Sequence, residues 1–243
     1  MARFFMAGSN LAGGMAIIRG RDAEHVRVLR LKPGEDVVIC DGEGTDYKCR
    51  LTQVDREEAQ AEVLEVVRCP AEPRLKVSLL CGLPKGDKTE YIIQKGVEAG
   101  AYEIGFFLSQ RCVARPDAPE KKLERWQRIS EEAAKQSGRG IIPRIFWAGE
   151  LADALNVAVQ RDKGILLYET GEREGLDTVL EANKQIGSLA MITGPEGGFA
   201  PFEVDLARIC GLHICSMGER ILRCETAPVV ALTAAMYASG DLG

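Results

Sequence analysis

The sequence predicts an α/β protein in two parts: a small, mostly β barrel over residues 1–70, then a helix-covered parallel sheet over residues 74–243. Three observations predict it. Short β-like runs separated by turn clusters fill the first seventy residues. The stretch Cys69-Pro70-Ala71-Glu72-Pro73, with two prolines, marks a linker. From Leu75 onward, near-continuous apolar runs alternate with helical ones, the pattern of a parallel sheet covered on both faces. The 243 residues suit one large or two small domains, and 46% apolar residues are enough for a sizeable core.

In the first part, strands are expected at Arg3–Met6, Met15–Ile18, Asp36–Cys40, Tyr47–Leu51 and Ala59–Val67. Lys32-Pro33-Gly34 and Asp41-Gly42-Glu43-Gly44 supply turns, and one helix, Asp22–Leu31, interrupts the strands. In the second part, strands are expected at Lys76–Cys81, Glu103–Leu108, Gly164–Tyr168, Ser188–Thr193 and Leu212–Met217. A helix at Lys88–Ala99 has Asp87 and Glu90 at capping-box spacing, and Gly100 closes it. The next, Glu120–Ser137, carries Leu123, Trp126, Ile129 and Ala133 on one stripe. Glu150–Val159, Pro201–Cys210 and Ala227–Ala238 complete the helices, the second with Pro at its first turn and Gly211 at its end.

Composition excludes several classes. No apolar run approaches the ~18 residues of a membrane span, and no signal-peptide h-region precedes Arg19. Eight scattered cysteines without a Cys-x-x-Cys pair, and only two histidines, argue against structural zinc. They fit small buried thiols in a reducing, cytoplasmic compartment. His25 and His213 leave no room for a Ser-His-Asp set. The net charge of −5 argues against wholesale coating of nucleic acid. Yet residues 111–144 hold nine Lys/Arg against five Asp/Glu, whereas residues 145–243 hold seven against fourteen. That suits a polyanion partner beside a cationic small ligand, and it equally suits random scatter.

Three segments carry candidate chemistry. Gly82-Leu83-Pro84-Lys85-Gly86-Asp87-Lys88-Thr89 has the outline of a phosphate loop, but Asp87 sets a carboxylate where phosphates would lie. Gly194-Pro195-Glu196-Gly197-Gly198-Phe199 follows an apolar strand and precedes the Pro201 helix, the strand end where open α/β sheets bind ligands. Its three glycines allow close backbone approach, more than a tight connection requires. Ser216 to Ala227, containing Glu219, Arg220, Arg223 and Glu225, again joins a strand end to a helix. There Glu225 and Thr226 fit a helix cap as well as a functional role. In the middle helix, Glu124–Arg128 and Glu131–Lys135 can pair, but Arg111, Arg115, Arg125 and Arg139 leave an arginine surplus suited to RNA phosphates.

Gly194–Phe199 together with Met217-Gly218-Glu219-Arg220-Ile221-Leu222-Arg223-Cys224-Glu225-Thr226-Ala227 resembles the paired signature of RsmE-type ribosomal RNA methyltransferases of the SPOUT superfamily. Lys85–Lys88, Gln94–Glu98, Arg111, Arg125-Trp126, Glu132–Arg139 and Ile142-Pro143 match that pattern in order, and Arg3-Phe4-Phe5 and His25–Arg30 resemble its PUA-like RNA-binding domain. The resemblance implies a trefoil-knotted SPOUT domain, a homodimer, and transfer of a methyl group from S-adenosylmethionine to N3 of one uridine in small-subunit (16S) ribosomal RNA. It implies donor binding at Tyr168, Glu169, Gly194, Gly198, Met217, Gly218, Ile221 and Leu222, and chemistry at Arg223, Glu225 and Glu196. RNA contacts are expected at Arg3, Arg27, Lys85, Arg111, Arg128 and Arg139, with the naked RNA or the small subunit as partner and no metal. Cys224 stands where the family usually has threonine, and a thiol donates weakly. Alternatives from the same fold are a non-catalytic RNA-binding assembly factor and a methyltransferase with another RNA target.

Overall fold

The structure, a computed structural model, describes residues 1–6, 11, 12, 14–115 and 120–242. The chain forms two compact units: Met1–Glu72 with Ala134–Ile142, and Pro73–Ala133 with Pro143–Gly243. The first unit therefore takes in a segment that lies more than sixty residues beyond the proline linker.

The first unit carries strands β1 (Ala2–Phe5), β2 (Leu11–Ala12), β3 (Met15–Arg19), β4 (Asp36–Cys40), β5 (Thr45–Val54) and β6 (Glu58–Arg68), with helix α1 (Gly20–Val28). They form one curled half-barrel sheet in the order β1-β4-β5-β6-β3-β2, open between its end strands among the described residues. Every pairing is antiparallel except β1 with β4, where Arg3 lies opposite Val38. Period-two burial explains the curl's inner face: Phe4, Ile18, Val37, Ile39 and Leu51 join Ala23 and Val26 of α1 in one core. α1 stops three residues short of the expected Leu31. Arg30 adopts a left-handed φ of 57°, and Leu31 N–H returns to the Val26 carbonyl at 3.1 Å, which closes the helix.

The second unit contains β7 (Lys76–Gly82), α2 (Lys88–Glu98), β8 (Glu103–Leu108), most of α3 (Glu120–Ser137), β9 (Arg144–Glu150), α4 (Leu151–Ala158) and β10 (Lys163–Leu167). β11 (Glu174–Gly175), α5 (Leu176–Ala182), β12 (Ser188–Thr193), α6 (Pro201–Ile209), β13 (His213–Ser216) and α7 (Ala227–Ser239) follow. All seven strands run parallel, in the order β11-β13-β10-β12-β7-β8-β9. Leu80, Leu166, Ala190 and Ile192 point to one face, where α4 and α6 cover them. Their neighbours in sequence point to the other face, where Leu79 and Ile104 lie against Gly96 of α2. Burial on both faces is why these strands read as unbroken apolar runs.

The structure corrects several local expectations. Asp87 precedes α2 without a side-chain cap; its carbonyl instead accepts Glu90 N–H at 2.9 Å, because Asp87 already has helical dihedrals. Thr226 likewise makes no side-chain cap to α7, and a turn closed on the Arg223 carbonyl (2.8 Å) leads into that helix. β2, β9, β11 and α5 are elements beyond those expected. β9 follows Pro143 as an edge strand in which Ile145 and Ala148 are buried and the aromatics between them are half-exposed.

Candidate active site

The carboxyl ends of β10, β12 and β13 converge on one cavity of about 370 Å³. That is the place where parallel sheets present loops to ligands, because the strands' own hydrogen bonds are satisfied below it. Tyr168 and Glu169 enter from β10, Thr193, Gly194, Glu196 and Gly198 from β12, and Met217, Gly218 and Ile221–Glu225 from β13. All eleven residues expected in donor binding and chemistry thus line a single cavity.

The glycine loop is shaped by its neighbours. Gly198 has a φ of +64°, and a Cβ there would lie 2.7 Å from Glu169 Oε1. A Cβ on Gly194 would press on the Gly198 backbone at 3.2 Å. Gly82, at the end of β7, touches the loop so closely that a Cβ would meet Pro195 Cδ at 2.5 Å. In the cavity wall, the Thr193 hydroxyl is buried without a hydrogen-bond partner. A buried orphan of this kind ordinarily has a ligand or water to satisfy it. Leu167, Met217, Ile221 and Leu222 add apolar surface, and Ile221 is 82% exposed. Backbone edges, apolar walls and one waiting hydroxyl suit a nucleoside-bearing ligand.

The charged side centres on Lys88, a residue the sequence reading does not assign. Its ammonium lies 3.0 Å from Glu196 Oε1 and 3.4 Å from Glu225 Oε2. The hydrogen bond to Glu196 raises the lysine above its ordinary range, against its slight burial. For Glu196, burial pushes the carboxyl up, but the Lys85 backbone N–H (3.0 Å) and Lys88 outweigh it and hold it below the usual carboxylate range. Burial also opposes ionisation of Glu225, and its own backbone, the Cys224 thiol (3.3 Å) and Lys88 outweigh that. Burial and the bond to Glu225 push the Cys224 thiol up to about 12, so it remains a thiol and donates to Glu225, more weakly than a hydroxyl would. Arg223 is exposed at the cavity rim. Both carboxylates are held below the usual carboxylate range with the Lys88 ammonium beside them.

The residues expected to hold RNA divide into two groups. Arg27, Lys85, Arg111 and Arg128 are exposed, with Arg128 only 3.7 Å from Glu124 and Arg111 reaching the Gly197 carbonyl at 3.2 Å. Arg139 is 3% exposed and paired with Glu72 at 2.8 Å, while Glu72 also accepts the backbone N–H groups of Gly140 and Ile141. Arg3 is bidentate on Asp46, both bonds at 2.8 Å, and reaches the Arg139 carbonyl at 3.3 Å. Burial alone lowers the Arg3 pKa, but the bond to Asp46 overrides it and raises it. These two arginines are internal fasteners of the first unit, because a guanidinium committed to a buried carboxylate has no fork left for phosphate. Arg139→Ala is expected to lose about 3–5 kcal/mol in urea unfolding, the loss typical of a buried pair stripped of one partner. A variant as stable as the wild type but weaker for RNA would reverse this placement.

Glu203 is a second residue missed from sequence. Buried at the first turn of α6, it accepts Ala200 N–H at 2.8 Å and Gln110 N–H at 2.9 Å, tying the loop after β8 to the end of the glycine loop. Its position three residues after Ala200, beside Pro201, was the available signal.

Comparison with known proteins is consistent along the whole chain. Residues 71–236 match the RNA methyltransferase domain family and residues 18–64 the RNA methyltransferase PUA domain. Ribosomal RNA small subunit methyltransferase E of Bacillus subtilis is 36% identical over 227 residues, spanning 90% of this chain and 89% of that protein. The protein of the same name from Mycobacterium tuberculosis is 33% identical over 231 residues, 91% of this chain and 86% of that one. Among solved structures, the Neisseria gonorrhoeae ribosomal RNA small subunit methyltransferase E bound to S-adenosyl methionine superposes with a TM-score of 0.84 at 29% identity, over 98% of this chain and 97% of that one. A methyltransferase from Legionella pneumophila in complex with the same cofactor gives a TM-score of 0.82 at 26% identity, over 98% of each chain.

Proposed function

The chain belongs to the ribosomal RNA small subunit methyltransferase E family, and on that premise we propose that it methylates N3 of one uridine in 16S ribosomal RNA, using S-adenosylmethionine. The observation that carries this reading is the single cavity that joins a glycine cradle and an unsatisfied hydroxyl to Glu196, Arg223 and Glu225.

The residues present fit the cofactor. Main-chain groups around Gly194, Gly198 and Gly218 can address the adenine and ribose edges, Thr193 offers the buried hydroxyl, and Leu167, Met217 and Leu222 offer apolar walls. Tyr168, Glu169 and Ile221 complete that binding surface in this reading. When bound, S-adenosylmethionine supplies an electrophilic methyl carbon, which leaves a sulfonium sulfur as a neutral thioether and bonds to N3. Uridine N3 is a weak nucleophile while it holds its proton. A carboxylate of the Glu196–Glu225 pair takes that proton, and Arg223 stabilises the anion spread over N3 and the two ring carbonyls. Because both carboxylates are already ionised at neutral pH, neither needs activation before the RNA arrives.

Structured RNA must present an unstacked base, so affinity has to come from elsewhere on the protein. Arg27, Lys85, Arg111 and Arg128 are the exposed cations assigned to that grip on the RNA or the small subunit. We also assign a homodimer. α7 keeps large side chains where it meets solvent, with Val230 42% and Tyr237 79% exposed on either side of Thr233, which suits a second copy better than water. The described residues contain no helix long and apolar enough to cross a membrane, and a ribosomal RNA substrate suits an enzyme of the cytoplasm.

Labelled S-adenosylmethionine and small ribosomal subunits from a strain lacking its own enzyme of this type provide the test. Digested RNA is expected to contain N3-methyluridine at one site, and sedimentation of the same preparation is expected to give a dimer mass. Label on another atom or another RNA would move the enzyme to a different substrate. Cofactor binding without transfer would leave a non-catalytic RNA-binding protein.

A further inference from the structure

Lys88 sits at the first position of α2, yet its ammonium reaches two loops that are remote from it in the chain. Glu196 Oε1 on the glycine loop is 3.0 Å away, Glu225 Oε2 on the loop after β13 is 3.4 Å away, and Cys224 Sγ is 3.7 Å away. One cation therefore bridges two carboxylates that share a cavity. Without it, two such carboxylates would repel, and one would tend to keep a proton.

The two acids are not equivalent. Glu196 Oε1 receives both the Lys88 ammonium and the Lys85 backbone N–H, each at 3.0 Å, so that oxygen is fully engaged in holding the lysine. Glu225 stands farther from the ammonium, and its side-chain donor is a thiol, the weakest donor in the cavity. Each acid also accepts its own backbone N–H, but Glu225 has a thiol where Glu196 has the Lys85 N–H, and a carboxylate held by weaker donors keeps more of its basicity.

Building on the methyl-transfer reading above, we propose that Lys88 is a positioning residue: it uses Glu196 as its anchor and keeps Glu225 ionised and set in the cavity, so that Glu225 rather than Glu196 takes the N3 proton. The other charged or titratable groups in the cavity are Tyr168 and Glu169 from the loop after β10, the Cys215 thiol of β13, and Arg220, Arg223 and the Cys224 thiol from the loop that carries Glu225. Among the described residues, Lys88 is the cation that lies within 3.4 Å of both acids.

Lys88→Met and Lys88→Arg test the bridge. Loss of the cation raises the Glu225 pKa, so the carboxylate form requires a higher pH. In Lys88→Met, kcat on small subunits is expected to fall about 10²-fold, and its acid limb is expected to move to higher pH. The dissociation constant for S-adenosylmethionine should change less than about threefold, since Lys88 acts on proton transfer and not on uniform binding. Lys88→Arg should return the acid limb towards its wild-type position. A readout independent of turnover is the carboxyl ¹³C titration of Glu225, assigned by its loss in Glu225→Gln. It should move to higher pH in Lys88→Met and back in Lys88→Arg, and an unmoved titration overturns the bridge. The order of the acids is a second check that does not rely on the lysine variants folding. Glu225→Gln should lower kcat about 10²–10⁴-fold and Glu196→Gln distinctly less, and the reverse order overturns the assignment of the base. Failure of the wild type to form N3-methyluridine would instead sink the substrate reading, while the Glu225 titration would still decide the bridge.

Discussion

Gly82→Ala is expected to abolish most of the affinity for S-adenosylmethionine while leaving a folded but weakened protein. Gly82 ends β7 against the glycine loop, and an added Cβ would lie 2.5 Å from Pro195 Cδ and 2.7 Å from Pro195 N. The second of these is backbone, so no side-chain rotation relieves it. Either β7 or the Gly194–Phe199 loop must move, and β7 is fixed by six paired residues of β12. The loop is therefore the part that yields, and with it the cradle around Gly194 and Gly198. Overpacking of this kind typically destabilises by about 1–3 kcal/mol, which thermal melting will read. Titration calorimetry should show at least about a tenfold loss of affinity, equivalent to about 1.4 kcal/mol. Gly187→Ala is the matched control, because there a Cβ meets only Asp162 at 3.6 Å. Wild-type affinity in Gly82→Ala would mean that the cradle is not where the cofactor binds.

Arg223→Ala should separate chemistry from binding. Loss of one preorganised donor to a developing anion typically lowers kcat by about 10²–10³-fold, whereas the cavity's glycines, Thr193 and apolar walls remain for the cofactor. The dissociation constant for S-adenosylmethionine should stay close to that of the wild type. The pH profile supplies a second signature. Glu225 is held below the usual carboxylate range, so wild-type kcat should be flat on descending from neutral pH past about 4.3, the ordinary glutamate value, and fall only below it. Arg223→Ala should lower the plateau and leave that limb in place, because Lys88 is the cation at 3.4 Å from Glu225. Equal losses in kcat and cofactor affinity would instead make Arg223 a binding residue.

Elements with an unbroken apolar run or a clear helical stripe were legible in the sequence. β4, β8, β12 and α3 have the bounds that periodicity predicts. The two ligand loops were legible because glycine clusters at strand ends have few structural uses. β9 was not, since its half-exposed Phe146 and Trp147 break the buried-run pattern after Pro143. β11, two residues long, and α5, seven, are too short to show a period. Charge was the poorest guide. Arg3 and Arg139 look like phosphate ligands in one dimension, but their partners Asp46 and Glu72 lie 43 and 67 residues away. Lys88 was hidden for the same reason: Glu196 is 108 residues further along the chain, and the neighbouring Asp87 spoke only against a phosphate loop.

Strand β12 stands near the middle of its sheet, between β10 and β7, and Ser188 pairs with Lys76. The centre of the catalytic unit is thus built from segments more than a hundred residues apart, and contacts of such separation form slowly because the intervening chain must first be gathered in. During synthesis the half-barrel strands and β7 leave the ribosome long before the segment that carries Arg223 and Glu225. A partly made chain that stops before that segment therefore lacks one wall of the cavity. The cavity closes only when residues 215–227 join the loops after β10 and β12, so its completion waits on the end of the chain.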